Sequence, residues 1–335
     1  MALKIRAQAI RDVEGLRQSL QNAVELEHAT LPTYLTAMYS IKDGSNQEIV
    51  ALIKSVVMEE MLHFGLACNI LNAIGGAPQI NTPKFIPTYP GPLPMGIGDD
   101  FLVTLKKLSL EQVHDTFMRI EEPEDPIEFE SLAVEPEQYD TIGQFYTAVK
   151  HKIRTFGDCI FTGDPALQVS GVFPQLVPIH DVESACQAID VIIRQGEGTA
   201  TSPFDSPGEL AHFYKFEEIY RGKHLVRDPN APNGYSFTGL PIPFDPNGVF
   251  PMADNPDTTK LPAGSRALFL SQQFNYTYTS LLNALHQTFN GQPGRLDTAI
   301  GVMYSLRLQA QELMQIAIDA TGQTAGPAWQ YQPVQ

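Results

Sequence analysis

The distribution of apolar residues predicts two long helices near the start of the chain. Between residues 13 and 41 the apolar positions recur every three or four residues, and they are Leu16, Leu20, Val24, Leu31, Tyr34, Leu35 and Met38. This spacing places them on one face of an α-helix. The segment DGSN at 43–46 ends this helix, and a second helix is predicted over residues 47–74, before Gly75 and Gly76. So short a link predicts an antiparallel helix hairpin.

Further helices are predicted beyond a long crossover that extends from Gly75 to about residue 182. Some strand or short-helix structure is expected near residues 101–108, and one helix lies late in the crossover. Two helices that flank a turn at 202–207 are expected to form a second hairpin, and two more follow near the end of the chain. These helices are predicted at 141–161, 182–195, 208–220, 265–289 and 296–320.

Two proline-rich segments separate these helices. One covers residues 78–94, and the other runs from Pro229 to Pro262 and contains eight prolines. Because proline lacks a backbone N–H group and restricts φ, both segments are expected to be irregular. The chain is therefore predicted to form one domain, residues 1–335, made of a helix hairpin, a crossover with an additional helix, a second hairpin, a proline-rich loop and a C-terminal helix pair. The boundaries of these parts are predicted at 12–76, 77–181, 182–225, 226–262 and 263–320.

Composition and charge argue against several classes of protein. The 335 residues include 38 Asp and Glu against 22 Lys and Arg, a net charge of −16, and so acidic a chain is not expected to bind nucleic acid. No apolar run approaches the roughly 18 residues of a membrane-spanning helix. The first residues, MALKIR, lack the apolar core of a signal peptide, so export is not expected. Three widely separated cysteines fit buried thiols in a reducing cytoplasm.

Two Glu-x-x-His motifs indicate a metal centre. One, from Glu60 to His63, lies in the middle of the second predicted helix, and the other, from Glu209 to His212, opens the helix after the 202–207 turn. Residues three apart share a helix face, so each pair can direct a carboxylate and an imidazole at one point. A bundle that binds two metal ions takes such a pair from each of two helices and one further Glu from each of two others. Carboxylate oxygens together with imidazole nitrogens suit Fe(II), Mn(II) or Zn(II).

Glu27 is predicted to supply one of the two further carboxylates. It falls within the apolar stripe of the first helix, where a charge is costly unless it is paired or bound to a metal. Glu25, by contrast, falls on the far side of that helix. Glu27 lies about 17 residues before Gly44 and Glu60 about 16 residues after it, so a rise of about 1.5 Å per residue puts the two carboxylates level.

Glu197 is the candidate for the other carboxylate. It lies about six residues before Pro203, and Glu209 lies about six residues after it, so the two would be level in the second hairpin. Asp190 and Glu183, earlier on the same predicted helix, remain open as alternatives to Glu197.

Other polar residues are interpreted as structural. His28 is expected at the surface or behind the metal ligands, because it points about 100° away from Glu27 around the helix. Tyr34 is expected to pack in the core. The acidic segment EEPEDPIEFE, residues 121–130, is interpreted as a solvated surface loop.

Four stretches of the chain resemble the ferritin-like superfamily. They read LQNAVELEHATLPTYLTAMYSIKD, VVMEEMLHFGLACNILNAIGGAP, QGEGT and GELAHFYKFEEIYRGKHL, and they cover most of residues 12–225. More narrowly, the sequence looks like the bacterial ferritin-like family related to the iminophenylpyruvate dimer synthases of bisindole pathways. The resemblance implies an all-α fold, a four-helix bundle with a long crossover, proline-rich irregular segments and extra C-terminal helices. The long crossover and the added proline-rich surface argue against an iron-storage cage.

The resemblance also implies a chemistry. It implies two bound iron ions, with manganese or zinc left open, and the implied ligands are Glu27, Glu60, His63, Glu197, Glu209 and His212. The usual activity of the superfamily is activation of O₂ or peroxide, so the chain is expected to be an oxidase or oxygenase of a small organic substrate in secondary metabolism. The alternative is a non-catalytic ferritin-like protein that binds a metal or a ligand. No nucleic-acid or membrane partner is expected, and a homo-oligomer is left open.

Overall fold

The computed structural model describes residues 5–6, 10–96, 101–123, 138–139, 141–197, 202–204, 208–231 and 234–333. Helices dominate these residues, so the predicted all-α class is confirmed. The helices are α1 (Val13–Tyr39), α2 (Gln47–Ala73), α3 (residues 110–120), α4 (Ile142–Phe156), α5 (Val182–Glu197), α6 (His212–Arg221), α7 (Arg266–Phe289) and α8 (Leu296–Leu313). Two small antiparallel ribbons accompany them, formed by β1 (Ile5–Arg6) with β2 (Gln138–Tyr139) and by β3 (Val226–Arg227) with β4 (Tyr235–Ser236).

The first two helices form the antiparallel hairpin that the sequence predicts. Arg17, near the start of α1, donates from Nη2 to the carbonyl oxygen of Ile74 just after α2, at 2.8 Å. Thr30, further along α1, donates to Glu60 in the middle of α2, also at 2.8 Å. A residue later in α1 therefore contacts a residue earlier in α2, which shows that the two helices are antiparallel. Gly75 follows the end of α2 and has a φ of +75°, in the left-handed region that glycine adopts without strain.

The second hairpin differs from the one expected. Lys150 of α4 forms an ion pair with Asp190 of α5, and the backbone N–H of Val182 donates to Asp158 at 2.9 Å. These contacts make α4, which was assigned to the crossover, the antiparallel partner of α5. The predicted partner, 208–220, does not begin as a helix at residue 208. Residues 208–211 are non-helical, and α6 packs mainly against α2 and α3.

The C-terminal pair α7 and α8 packs against the α1–α2 hairpin. Trp329, beyond α8, donates from Nε1 to the hydroxyl of Thr36 on α1 at 2.8 Å. Asn72 of α2 donates to the carbonyl oxygen of Phe289 at the end of α7, at 2.8 Å. Helix α8 ends at Leu313, earlier than the predicted residue 320. The chain after it forms short bridges instead, among them one between Ala317 and Thr324.

The segments between the helices are largely irregular, as the prolines predict. The first proline-rich segment contains the short 3₁₀ turn Pro83–Phe85 and the start of another, Pro94–Gly96. The second contains β4 and the 3₁₀ turns Pro246–Gly248 and Thr258–Lys260. Of the strand or short-helix structure expected near 101–108, the structure has a β-bridge between Val103 and Gly91. Helix α3 follows from residue 110, and its middle segment, Val113–Phe117, is a π-helix. Within the described ranges, no helix combines the length and the apolar composition needed to cross a membrane.

Candidate metal centre

Four helices bring buried carboxylates and imidazoles to one point inside the protein. Two groups of three residues each place potential ligand atoms within 4.8 Å of one another. One group is Glu27, Glu60 and His63, and the other is Glu60, Glu121 and His212. Glu60 belongs to both, so its carboxylate can bridge two metal positions. The five residues come from α1, from α2, from the end of α3 and from the start of α6.

Each carboxylate of the centre divides its two oxygens between different partners. One oxygen accepts a hydrogen bond from a buried hydroxyl group, and the other faces an imidazole nitrogen. The hydroxyl donors are Thr30 to Glu60 at 2.8 Å, Tyr34 to Glu121, and Tyr146 to Glu27. The facing atoms are Oε2 of Glu27, 3.6 Å from Nδ1 of His63, and Oε1 of Glu60 and Oε2 of Glu121, 2.9 Å and 3.3 Å from Nδ1 of His212. The oxygens left for a cation are thus oriented toward the imidazoles.

Hydrogen bonds on the outer side of the two imidazoles orient their inner nitrogens. Nε2 of His63 lies 2.9 Å from the amide oxygen of Gln195, and Nε2 of His212 lies 2.9 Å from a carboxylate oxygen of Glu59. Both partners are acceptors, so each ring carries a proton on Nε2 and, when neutral, directs the lone pair of Nδ1 inward. This is the arrangement that metal-binding histidines use. Glu59 is itself held by Lys215, whose Nζ lies 2.7 Å and 2.9 Å from its two oxygens.

The inner nitrogen of His212 tests whether these residues fit a cation. It is buried and makes no hydrogen bond with the described residues, although two carboxylate oxygens face it. When the imidazole is neutral, three buried acceptors face one another, which is unfavourable, and either a proton on Nδ1 or a bound cation would satisfy all three. The donor set of carboxylates and imidazoles suits iron, manganese or zinc.

The electrostatics of the centre favour a bound positive charge. Burial and the neighbouring carboxylate of Glu121 raise the pKa of Glu60 to about 7. Burial lowers the pKa of His212, but the carboxylates of Glu121, Glu59 and Glu60 outweigh that effect and raise this pKa well above its usual value. Burial also raises the pKa of Glu59, but His212 and Lys215 outweigh it and lower this pKa to about 2. The raised pKa values of Glu60 and His212 mean that these groups bind protons where a metal would bind, and a metal has to displace those protons.

A small cavity adjoins the centre between α3, α4 and α5. Its volume is about 30 Å³, roughly that of one water molecule. Apart from the centre and its hydroxyl donors, its walls are apolar or glycine, and they are Leu26, Ile120, Ile142, Gly143, Ile192, Ile193 and Gly196. A small ligand such as a water molecule fits here.

Comparison with known proteins agrees with this architecture. A protein-family model described as Ferritin-like matches residues 20–221. The chain belongs to the Ferritin-like family. A ferritin-like protein from Caulobacter vibrioides, known from a crystal structure, superposes with a TM-score of 0.67 at 24% sequence identity. That comparison covers 97% of this chain and 100% of the other, and it supports the fold.

A curated relative of this ferritin-like chain is the dichlorochromopyrrolate synthase of Lentzea aerocolonigenes. The two sequences are 24% identical over 382 aligned positions, which cover 94% of this chain. The match covers 36% of the relative, so this chain spans little more than a third of the relative's length.

The ferritin-like centre includes four of the six residues expected from the sequence. Glu27, Glu60, His63 and His212 converge, but Glu209 does not join them. Its side chain is 66% exposed, and its carboxylate lies 3.9 Å from Nζ of Lys215, outside the centre. The expectation for Glu209 fails because α6 begins at His212, so Glu209 precedes the helix and the two residues share no helix face.

Among the side chains of α5 that the structure describes, no carboxylate belongs to either ligand group. Glu197 is the last residue of this helix, and the position of that side chain lies outside the described part of the structure. The two alternatives to Glu197 do not reach the centre. Asp190 forms an ion pair with Lys150, and Glu183 is exposed to solvent. The side chain that α5 does direct at the centre is Gln195, the partner of His63.

Glu121 is the carboxylate that the sequence analysis missed. It opens the acidic segment that was interpreted as a solvated loop, yet it is only 6% exposed. A signal was present, because Val113, Phe117 and Ile120 recur at helical spacing and Glu121 follows Phe117 by four residues on the same face. Tyr34 packs in the core, as expected, and its hydroxyl also donates the hydrogen bond that orients Glu121.

Proposed function

We propose that this chain is a di-metal carboxylate protein, with iron as its metal, that acts as an oxidase or oxygenase on a small organic substrate. The observation that carries the proposal is that two buried ligand groups share Glu60, whose Oε1 lies 3.8 Å from Nδ1 of His63 and 2.9 Å from Nδ1 of His212. Glu27 and His63 would complete one metal position, and Glu121 and His212 the other. Two iron ions bound there would supply the electrons for reduction of O₂ or peroxide.

The charge of the ligand set supports two divalent ions. The described ligands, three carboxylates and two neutral imidazoles, carry three negative charges, and the side chain of Glu197 lies outside the described residues. Two divalent ions would leave one positive charge on the described ligands, which favours a further anionic ligand such as Glu197, hydroxide or a carboxylate of the substrate. This balance makes the burial of so many charged groups feasible.

The surrounding residues support the centre in three ways. Glu59 and Gln195 hold the proton of each imidazole on the outer nitrogen, so that the inner one stays free for the metal. The hydroxyls of Tyr34 and Tyr146 orient the carboxylates, and burial together with the nearby carboxylates raises the pKa of both phenols, so they stay protonated. The isoleucines of the adjoining cavity keep bulk water away.

The substrate class is proposed from the relatives. The narrower resemblance, to the family related to iminophenylpyruvate dimer synthases, agrees with the likeness to a dichlorochromopyrrolate synthase. We therefore propose an aromatic, amino-acid-derived substrate in secondary metabolism. A cytoplasmic location remains part of this proposal. The other candidate, a non-catalytic metal-binding protein, is favoured by the small volume of the cavity beside the centre.

Metal analysis of three proteins tests the proposal. The unaltered chain loaded with Fe(II) should hold two ions, and Glu60→Ala should lose both because its carboxylate is shared. Glu209→Ala serves as the matched control, since this exposed glutamate should be dispensable. Full metal content in the Glu60 variant, or loss of metal in the Glu209 variant, would contradict the site described here.

Oxygen consumption then separates the two candidate functions. An oxidase or oxygenase loaded with Fe(II) should consume O₂, and the Glu60→Ala variant treated in the same way should not. A loaded protein that holds two ions and consumes no O₂, with or without aromatic amino-acid derivatives, would favour the non-catalytic alternative.

A further inference from the structure

A second cavity lies on a different face of the α1–α2 hairpin from the metal centre. His28 follows Glu27 and Phe64 follows His63, and successive helical residues point about 100° apart. The helices α7 and α8 close this second face and contribute Leu282 and other apolar side chains to the walls. The cavity has a volume of about 80 Å³, which is more than twice that of the cavity at the metal centre.

The lining of this cavity is almost entirely apolar and carries no charge. Among the described residues that line it, none is Asp, Glu, Lys or Arg. Three polar side chains reach the wall, those of His28, Tyr278 and Trp329. The indole N–H of Trp329 is already committed to the hydroxyl of Thr36. The polar atoms available to an occupant therefore belong to His28 and Tyr278.

His28 carries a polar atom that nothing in the described structure satisfies. The side chain is 4% exposed, and its Nε2 lies 2.8 Å from the hydroxyl of Tyr278. Its Nδ1 is buried and has no hydrogen-bond partner within the described ranges. Such a buried atom is unfavourable, and an occupant of the cavity could satisfy it. Pro32, also on the wall, lacks the N–H that would normally bond the carbonyl oxygen of His28 in the helix.

We propose that this cavity is a second ligand site, which takes one neutral phenol-type ring and bonds its hydroxyl group to His28. The apolar walls favour a ring, and the absence of charge from the walls favours a neutral one. A hydroxyl group suits both tautomers of the His28–Tyr278 pair, because it can donate to Nδ1 or accept from it. Leu285, Ile300 and Met303 on the wall are only half-buried, so movement of their side chains would let a ring enter.

Trp329 makes binding directly observable. It is the single tryptophan of the chain, and it lies on the wall of this cavity. Phenol and toluene are a matched pair of probes, since they are nearly equal in size and differ by a hydroxyl in place of a methyl group. Each would be titrated into the unaltered protein, with Trp329 excited at the red edge of its absorption, where neither probe absorbs.

The expected result is a saturable change in Trp329 emission with both probes and a dissociation constant at least tenfold lower for phenol. His28→Leu should remove the advantage of phenol and leave the affinity for toluene nearly unchanged. Ala299→Leu, which fills the cavity from α8, should weaken both probes.

Two results with the unaltered protein would overturn the proposal without any variant. One is the absence of a saturable response to either probe, and the other is equal affinity for phenol and toluene. The titrations are repeated after chelation of all metal, because binding in this cavity should not depend on the metal centre. If the phenol response vanishes on chelation, the ring binds at the metal centre and the second site is disproved.

Discussion

Nδ1 of His212 lies 2.9 Å from Oε1 of Glu60, although the two residues belong to helices far apart in the sequence. Nε2 of the same ring directs its proton at Glu59, so neither facing atom is a donor when the imidazole is neutral. Two acceptors in buried contact repel each other unless a proton or a metal cation lies between them. This relationship makes the metal affinity of the centre dependent on the outer partners of His212 and on pH.

Replacing Glu121 with glutamine should remove one metal position and spare the other. Glu121 belongs to the group with His212, whereas Glu27 and His63 form the other group with Glu60. We expect about half of the wild-type metal content, measured by elemental analysis of the loaded protein. Glu122→Gln, a change of the neighbouring residue that belongs to neither group, is the control. Two ions retained in the Glu121 variant would show that this carboxylate is not a ligand.

Replacing Glu59 with glutamine should weaken metal binding without touching a ligand. The change replaces the charged acceptor that holds the proton of His212 on Nε2 with a neutral amide, and such outer partners typically contribute about 10–100-fold in metal affinity. It also leaves Lys215, whose side chain is 6% exposed, without its strongest partner. Titration with a competing chelator measures the affinity. A Glu209→Gln variant, which changes the more distant and exposed carboxylate near Lys215, should bind metal normally.

Metal affinity should fall as the pH drops below about 7. The pKa of Glu60 is raised to about 7 in the metal-free protein, so below that pH a metal has to displace a proton from this carboxylate. For this one group we expect up to about a tenfold loss of affinity per pH unit. Competition titrations between pH 5 and pH 8 check this expectation, and an affinity constant over that range would contradict it.

The same pKa gives the metal-free protein an opposite dependence of stability on pH. A carboxyl group whose pKa is about 7 when folded and 4.5 when unfolded binds its proton more tightly in the folded state. Its contribution to stability is therefore present below pH 4.5 and is lost as the pH rises through about 7. The Glu60→Gln variant should show a smaller decline in the free energy of unfolding between pH 5 and pH 8, as measured by denaturant titration.

Gly163 should not tolerate alanine. Its N–H donates to the carbonyl oxygen of Ala73 at 2.9 Å, and an added Cβ would lie 1.8 Å from the carbonyl oxygen of Asn72. Because that neighbour is backbone, the connection between α4 and α5 would have to move away from the end of α2. We expect a destabilisation on the order of 3 kcal/mol by denaturant titration. Gly294→Ala, where an added Cβ would meet nothing within 4 Å, should change stability by no more than about 0.5 kcal/mol.

The spacing of residues along the chain was sufficient to predict the first half of the centre, which is formed by Glu27, Glu60 and His63. The helical spacing of α1 and α2 and the short link between them place Glu27 beside His63 and level with Glu60, as the contact of 3.6 Å between Glu27 and His63 shows. Each of these positions depends on periodicity over one helix or on a single short turn. The same counting of residues on either side of a turn failed for Glu209, because it assumed a helix from residue 208 where the chain is still non-helical.

The amino-acid sequence by itself determined the all-α class, the first hairpin, the irregular proline-rich segments and the half of the centre on α1 and α2, since short-range periodicity and backbone chemistry govern all of these. Only the tertiary structure decided that α4 pairs with α5, that Glu121 joins His212, itself predicted from its motif, and that Glu209 does not join them. The reason is physical. Which distant segments meet depends on how side-chain shapes pack between helices, and no regular spacing along the chain encodes that packing.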